Sequence, residues 1–108
     1  MENNELICFQ IISAVGSAKS MYLEAMVEAK NGDFEKAASL IEEGLDLFKN
    51  GHHYHAKLIQ QEASGEKTDI NLLLVHAEDQ MMSAETIKIM AEEFISLYKK
   101  LAAFECAN

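Results

Sequence analysis

No proline occurs anywhere in 108 residues, and that absence constrains the fold more than any other feature of the chain. Proline ends or kinks helices because its ring removes an amide donor and clashes with the preceding turn. A proline-free chain rich in Ala, Leu, Glu, Lys and Met therefore favours long helices interrupted only at glycine-bearing turns. Periodicity supplies the elements. In the first segment Ile7, Ile11, Ala14, Ala18, Met21 and Ala25 recur at alternating intervals of four and three, and Cys8, Ile12, Val15, Tyr22, Met26 and Ala29 form a stripe beside them. So wide an apolar face exceeds what a small monomeric bundle needs, which points to coverage by other subunits.

Asn31-Gly32-Asp33 is the clearest break: Gly32 suits a left-handed helix end and Asp33 can cap the next helix. The second helix carries Phe34, Ala38, Ile41, Leu45 and Phe48, and its stripe continues through His52, His55 and Ile59, so two histidines are expected to face inward. Gly44 and Gly51 inside it each cost about 1 kcal/mol relative to alanine unless a close helix approach requires them. Ser64-Gly65-Glu66-Lys67 breaks the pattern again. Thr68 or Asp69 then caps a third helix through Leu73, Ala77, Ala84, Ile87, Ala91, Phe94, Tyr98 and Leu101. The expectation is an all-α single domain, residues 1–108, with helices over about 4–31, 33–64 and 69–103 and a frayed C-terminal tail. Joined by short connections, they form an antiparallel three-helix bundle of rods about 40 Å long.

Nine basic and eighteen acidic residues give 9 − 18 = −9 at pH 7, which argues against nucleic acid or anionic lipid as a partner and for a basic protein face. Cys8 and Cys106 have no ligand spacing and read as free thiols. The apolar run Leu6 to Ile12 is far short of a bilayer span, so a cytoplasmic protein without direct membrane insertion is expected.

The five glycines form neither GxGxxG nor GxxxxGK, so no nucleotide-phosphate loop is present. No glutamate lies three residues before any histidine, which excludes the di-iron bundle pattern. In His52-His53-Tyr54-His55, His52 and His55 lie one turn apart and could begin a metal site. No carboxylate stands at the helical offset that would complete it, so interior or interface histidines with polar neighbours are the stronger reading. The third helix differs. His76 follows the apolar run Leu72 to Val75, and Asp79 and Gln80 lie one turn beyond it. A neutral imidazole is a competent nucleophile near neutral pH, and a carboxamide one turn away can donate to a phosphoryl oxygen. On spacing alone, a surface or capping hydrogen-bond network is the stronger reading of this arrangement.

Leu72-Leu73-Leu74-Val75-His76-Ala77-Glu78-Asp79-Gln80-Met81-Met82 resembles the signature of the IIA components of the lactose/cellobiose class of the bacterial phosphoenolpyruvate-dependent sugar phosphotransferase system. Gly16-Ser17-Ala18-Lys19-Ser20, Asn31-Gly32-Asp33-Phe34 and Leu58 to Glu66 resemble the family in the same order, covering nearly the whole chain. The resemblance implies a homotrimer of three-helix subunits, nine helices in all, with His76 as the phosphorylated histidine. It implies Asp79 as a ligand of a structural Mg²⁺ on the trimer axis. It further implies a phosphocarrier protein as donor, a IIB cysteine as acceptor and a coupled IIC membrane permease. Gln80 stands where lactose members often carry histidine, and Glu78 is not the commonest residue at its place, which favours a β-glucoside or cellobiose-like sugar. His52 matches a histidine common in the family, whereas His55 sits where glutamine is more usual.

A competing reading belongs to another class. Asn31-Gly32-Asp33-Phe34-Glu35-Lys36-Ala37-Ala38 also resembles one helix of a tetratricopeptide repeat, a protein-interaction module without phosphoryl transfer. That reading requires repetition, and no second copy appears at a 34-residue spacing.

Overall fold

The computed structural model describes residues 2–107 as three helices: α1 (Glu2–Lys30), α2 (Phe34–Ala63) and α3 (Leu72–Ala107). No strand occurs among the described residues. Both breaks are made by the same device. Gly32 and Gly65 adopt φ of +91° and +95°, a conformation that side chains resist. At the first, Gly32 N–H donates to Ala29 C=O and Asp33 N–H to Glu28 C=O. At the second, Gly65 N–H donates to Glu62 C=O and Glu66 N–H to Gln61 C=O. These paired bonds satisfy carbonyls that a bare helix end would leave open. Asp33 caps α2 as expected, its carboxylate accepting from Lys36 N–H at 3.1 Å.

Packing is centred on α1. Two hydrophobic clusters run along it, one joining Tyr22 and Ala25 to Leu40, Ile41, Ala91 and Ile95, the other joining Ile11 and Val15 to Leu58, Ala77 and Met81. Tyr22 packs on Gly44 and Val15 on Gly51, so α1 and α2 run antiparallel, whereas α3 follows α1 in the same direction. The helices α2 and α3 touch each other far less than either touches α1. The particle measures 62 × 21 × 16 Å. That length exceeds the expected 40 Å because α3 alone, with 36 residues, is about 54 Å long.

Four expectations are corrected. The third helix starts at Leu72 rather than 69 and is capped by neither Thr68 nor Asp69: Leu74 N–H donates to Asn71 Oδ1 at 2.9 Å. It remains helical to Ala107 rather than fraying after 103. On α2 the buried line is Ala37, Leu40, Ile41, Gly44, Gly51 and Leu58, while Ala38, His52 and Ile59 are exposed. The glycines set that line because only there can α1 approach the backbone, and His52 then faces the thinly packed α2/α3 side. Finally, the apolar stretch near the start is longer than Leu6 to Ile12. An 18-residue window within Asn4–Lys30 reaches a mean hydropathy of 1.4, and the segment is long and apolar enough to cross a membrane by length and composition. Here Ile11, Val15, Ala18, Tyr22 and Ala25 of that stretch lie buried against α2 and α3.

Tyr22 is fully buried. Burial, with a smaller contribution from the Glu92 carboxylate, pushes its hydroxyl up to about 12. A Cβ built on Gly44 would lie 2.5 Å from the Tyr22 ring, and one on Gly51 would lie 2.5 Å from the Val15 side chain. Alanine's helix propensity favours the substitution by about 1 kcal/mol. Overpacking a buried side chain costs about 1–3 kcal/mol, and neither Tyr22 nor Val15 has space to retreat. Gly44→Ala and Gly51→Ala are therefore expected to lower stability by roughly 1–2 kcal/mol each. Chemical denaturation checks this, and an unchanged or raised midpoint contradicts it.

Candidate functional site

The rotation of α3 follows from its buried small and flexible side chains. Ala77, Met81 and Ala84 press against α1, which turns the remaining faces of the same helix outward. His76 stands in the second turn and is exposed. At 100° per residue, Asp79 and Gln80 lie on either side of it, about 60° and 40° away around the helix. Asp79 is exposed and Gln80 half-buried. Among the described residues, none of these three side chains has a hydrogen bond or ion pair within the chain. The structure thus gathers His76, Asp79 and Gln80 on one exposed sector and leaves each free to meet an outside group.

The histidine cluster of α2 divides. His52 and His53 are exposed, with the His53 ring edge-on to Tyr54 at 5.9 Å between centroids. His55 is half-buried, and its Nε2 donates to Glu78 Oε1 of α3 at 2.7 Å. The carboxylate sought along α2 comes from another helix, 23 residues away. A spacing argument within one helix has no access to such a pair. An open groove between α2 and α3 surrounds the pair, with Phe48 and Met81 among its apolar lining and Lys49, His52 and Glu85 among its polar lining.

Cys8 of α1 is buried near the same place. Burial pushes its thiol above the ordinary cysteine range, and the Glu78 and Glu5 carboxylates push in the same direction. Such a thiol is a poor nucleophile. Cys106 is exposed and also unpaired by a disulfide. No group of three His, Cys, Asp or Glu side chains within the described residues is arranged to hold a metal ion. A metal at Asp79 would therefore need ligands beyond those the described residues of one chain bring together.

Known proteins are similar to this chain over most of its length. The family model described as "PTS system, Lactose/Cellobiose specific IIA subunit" matches residues 6–99. The lichenan-specific phosphotransferase enzyme IIA component of Bacillus subtilis is 46% identical over 100 residues, covering 93% of this chain and 91% of that protein. The lactose-specific EIIA component of Staphylococcus epidermidis is 35% identical over 96 residues, covering 89% and 92%. Among solved structures, the cellobiose-specific enzyme IIA of Bacillus anthracis superposes with a TM-score of 0.89 at 45% identity, covering 91% of this chain and 90% of that one. The chain belongs to the lactose/cellobiose-specific IIA family of the sugar phosphotransferase system.

Proposed function

We propose that the protein is a phosphoryl carrier in which His76 accepts a phosphoryl group from the phosphocarrier protein and passes it to a cysteine of a IIB partner. That partner in turn serves a IIC permease, and both transfers take place in the cytoplasm. The observation that carries this reading is the exposure of His76, without a hydrogen bond or ion pair to any described residue, within a member of the IIA family. In the first step a ring nitrogen of His76 bonds to phosphorus as the donor bond breaks. In the second the cysteine sulfur bonds to phosphorus and the histidine bond breaks. Such transfers pass through a loose, charge-spread transition state, so alignment and hydrogen bonds to the equatorial oxygens govern the rate. Gln80, about 40° around the helix, is the nearest carboxamide donor for those oxygens. The chain holds lysine as its only strongly basic residue type, so much of the positive charge comes from the partners. A net charge of −9 draws a basic partner face toward it.

The sugar is proposed to be a β-glucoside of the cellobiose kind. Supporting this, the relative named lichenan-specific is 46% identical and the one named lactose-specific 35%. In this reading the sugar is selected by the other components.

The assembly is proposed to be a homotrimer built along α3, with nine helices. Leu72, Val75, Met82, Met90 and Leu97 are exposed on one side of that helix, with Leu72 84% and Met82 63% accessible. They lie within about 80° of arc, and Asp79 falls inside it. A helix face this apolar calls for cover, and closed cyclic symmetry is the usual solution. Threefold symmetry on this face brings three Asp79 carboxylates together on the axis. Their repulsion in a shielded interior demands a cation or protonation. All-oxygen ligands suit a hard ion such as Mg²⁺, which would supply the compensating charge.

Two outcomes are expected. Mixed with phosphoenolpyruvate and the two general upstream proteins, the protein takes up acid-labile, alkali-stable phosphate. His76→Ala abolishes the uptake without loss of helix content, whereas undiminished labelling of that variant removes His76 from the role. An interaction module of the tetratricopeptide kind takes up none in any form. Light scattering is expected to give about 36 kDa, three times 12.1 kDa. Asp79→Leu should keep that mass, hold or gain stability by about 1–4 kcal/mol, and melt independently of chelator. Dissociation of the variant, with a wild type indifferent to chelator, contradicts the axial role of Asp79.

A further inference from the structure

Because α2 and α3 share little surface, the first turns of α3 are held mainly by Ala77, Met81 and Ala84 against α1, with Leu58 the buried side chain that α2 adds to that cluster. Their flank toward α2 borders the open groove. Across that opening runs one bond, His55 Nε2 to Glu78 Oε1 at 2.7 Å. Among the described residues it is the only hydrogen bond between α2 and residues 72–84 of α3. The Lys99 ammonium over the Phe34 ring links the same helices near their other end. The His55 side chain is 19% exposed and that of Glu78 45%. The carboxylate is partly solvated, which screens the pair, so what the short bond chiefly adds is direction rather than strength.

Glu78 lies two residues beyond His76, about 160° away around the helix. Its carboxylate therefore points away from anything bound at His76, and its effect on that residue passes through the backbone of their shared turn. We infer that His55 and Glu78 are positioning residues for phosphoryl transfer at His76, their bond anchoring the second turn of α3 to α2 across a groove that packing leaves open. The inference rests on the reading of His76 as phosphoryl acceptor. Its physical basis is that in-line transfer tolerates little displacement: an error of about 1 Å in the placement of a reacting group can cost up to about a hundredfold in rate.

The test uses side chains of graded reach. The amide nitrogen of glutamine occupies nearly the place of an imidazole Nε2, whereas that of asparagine falls one carbon short. Steady-state transfer from the phosphorylated phosphocarrier protein to the full chain should show kcat lowered roughly tenfold in His55→Asn, with KM within twofold of wild type. His55→Gln should retain wild-type kcat. Glu78→Ala should match His55→Asn, and combining the two should cost nothing further, because each removes the same bond. Wild-type kcat in His55→Asn, equal impairment in His55→Gln, or multiplied losses in the double variant would overturn the inference. If the wild type itself accepts no phosphate, the proposed function fails. The anchor is then read by amide hydrogen exchange over residues 74–80, expected to be faster in His55→Asn than in His55→Gln. Equal exchange in the two variants overturns it.

Discussion

Everything in this structure depends on how closely α1 can approach the backbone of α2. Tyr22 and Val15 sit over Gly44 and Gly51, where any side chain would collide with them. Two glycines in the middle of a helix lower its intrinsic stability by about 2 kcal/mol together, and burial of a tyrosine ring and a valine offsets that loss. The approach fixes the register of α2 on α1. With α2 so placed, the same buried stripe of α1 also receives the alanine-rich line of α3, including Ala77, Ala84 and Ala91. Small side chains on α3 let it come close to α1, and its larger apolar side chains are left for the outer face.

That division of labour explains why a chain this small exposes so much apolar surface on one helix. The core is complete with α1 at its centre, so the outward line of α3 contributes little to folding of the single chain. The proposed acceptor, His76, occupies that same helix, between a capped N-terminus at Asn71 and the first buried contacts at Ala77 and Met81. A firm α1/α3 contact next to a thin α2/α3 contact holds His76 on a stable support while leaving its surroundings open to a partner protein. The proposed carrier role asks for both properties, since in it a donor and an acceptor reach the same imidazole in turn.

Much of this was readable from the residues, and the reasons are local. Gly32 and Gly65 announce the helix ends because a positive φ is a property of single residues. His76, Asp79 and Gln80 appear together because helical spacing alone sets their relation. What escaped were relations between helices. The inward turn expected of His52 assumed a third wall that the thin α2/α3 contact does not provide, and His52 is exposed. The partner of His55 lies 23 residues away on α3, beyond any periodicity. The buried line of α2 was displaced from the expected stripe because glycine, which carries no hydrophobic signal, marks the point of closest packing. The role of His76 rests on the motif around it. Spacing alone favoured a surface or capping network.

The central claim is that one imidazole of four carries the phosphoryl group because it alone combines exposure on α3 with the acceptor motif. Nuclear magnetic resonance of the phosphorylated protein, labelled with nitrogen-15 in its histidine rings, tests this directly through the one-bond coupling between phosphorus and ring nitrogen. The account predicts a single coupled imidazole, assigned to His76, with His52, His53 and His55 uncoupled. Coupling at any of those three, with His76 unaltered, would contradict it.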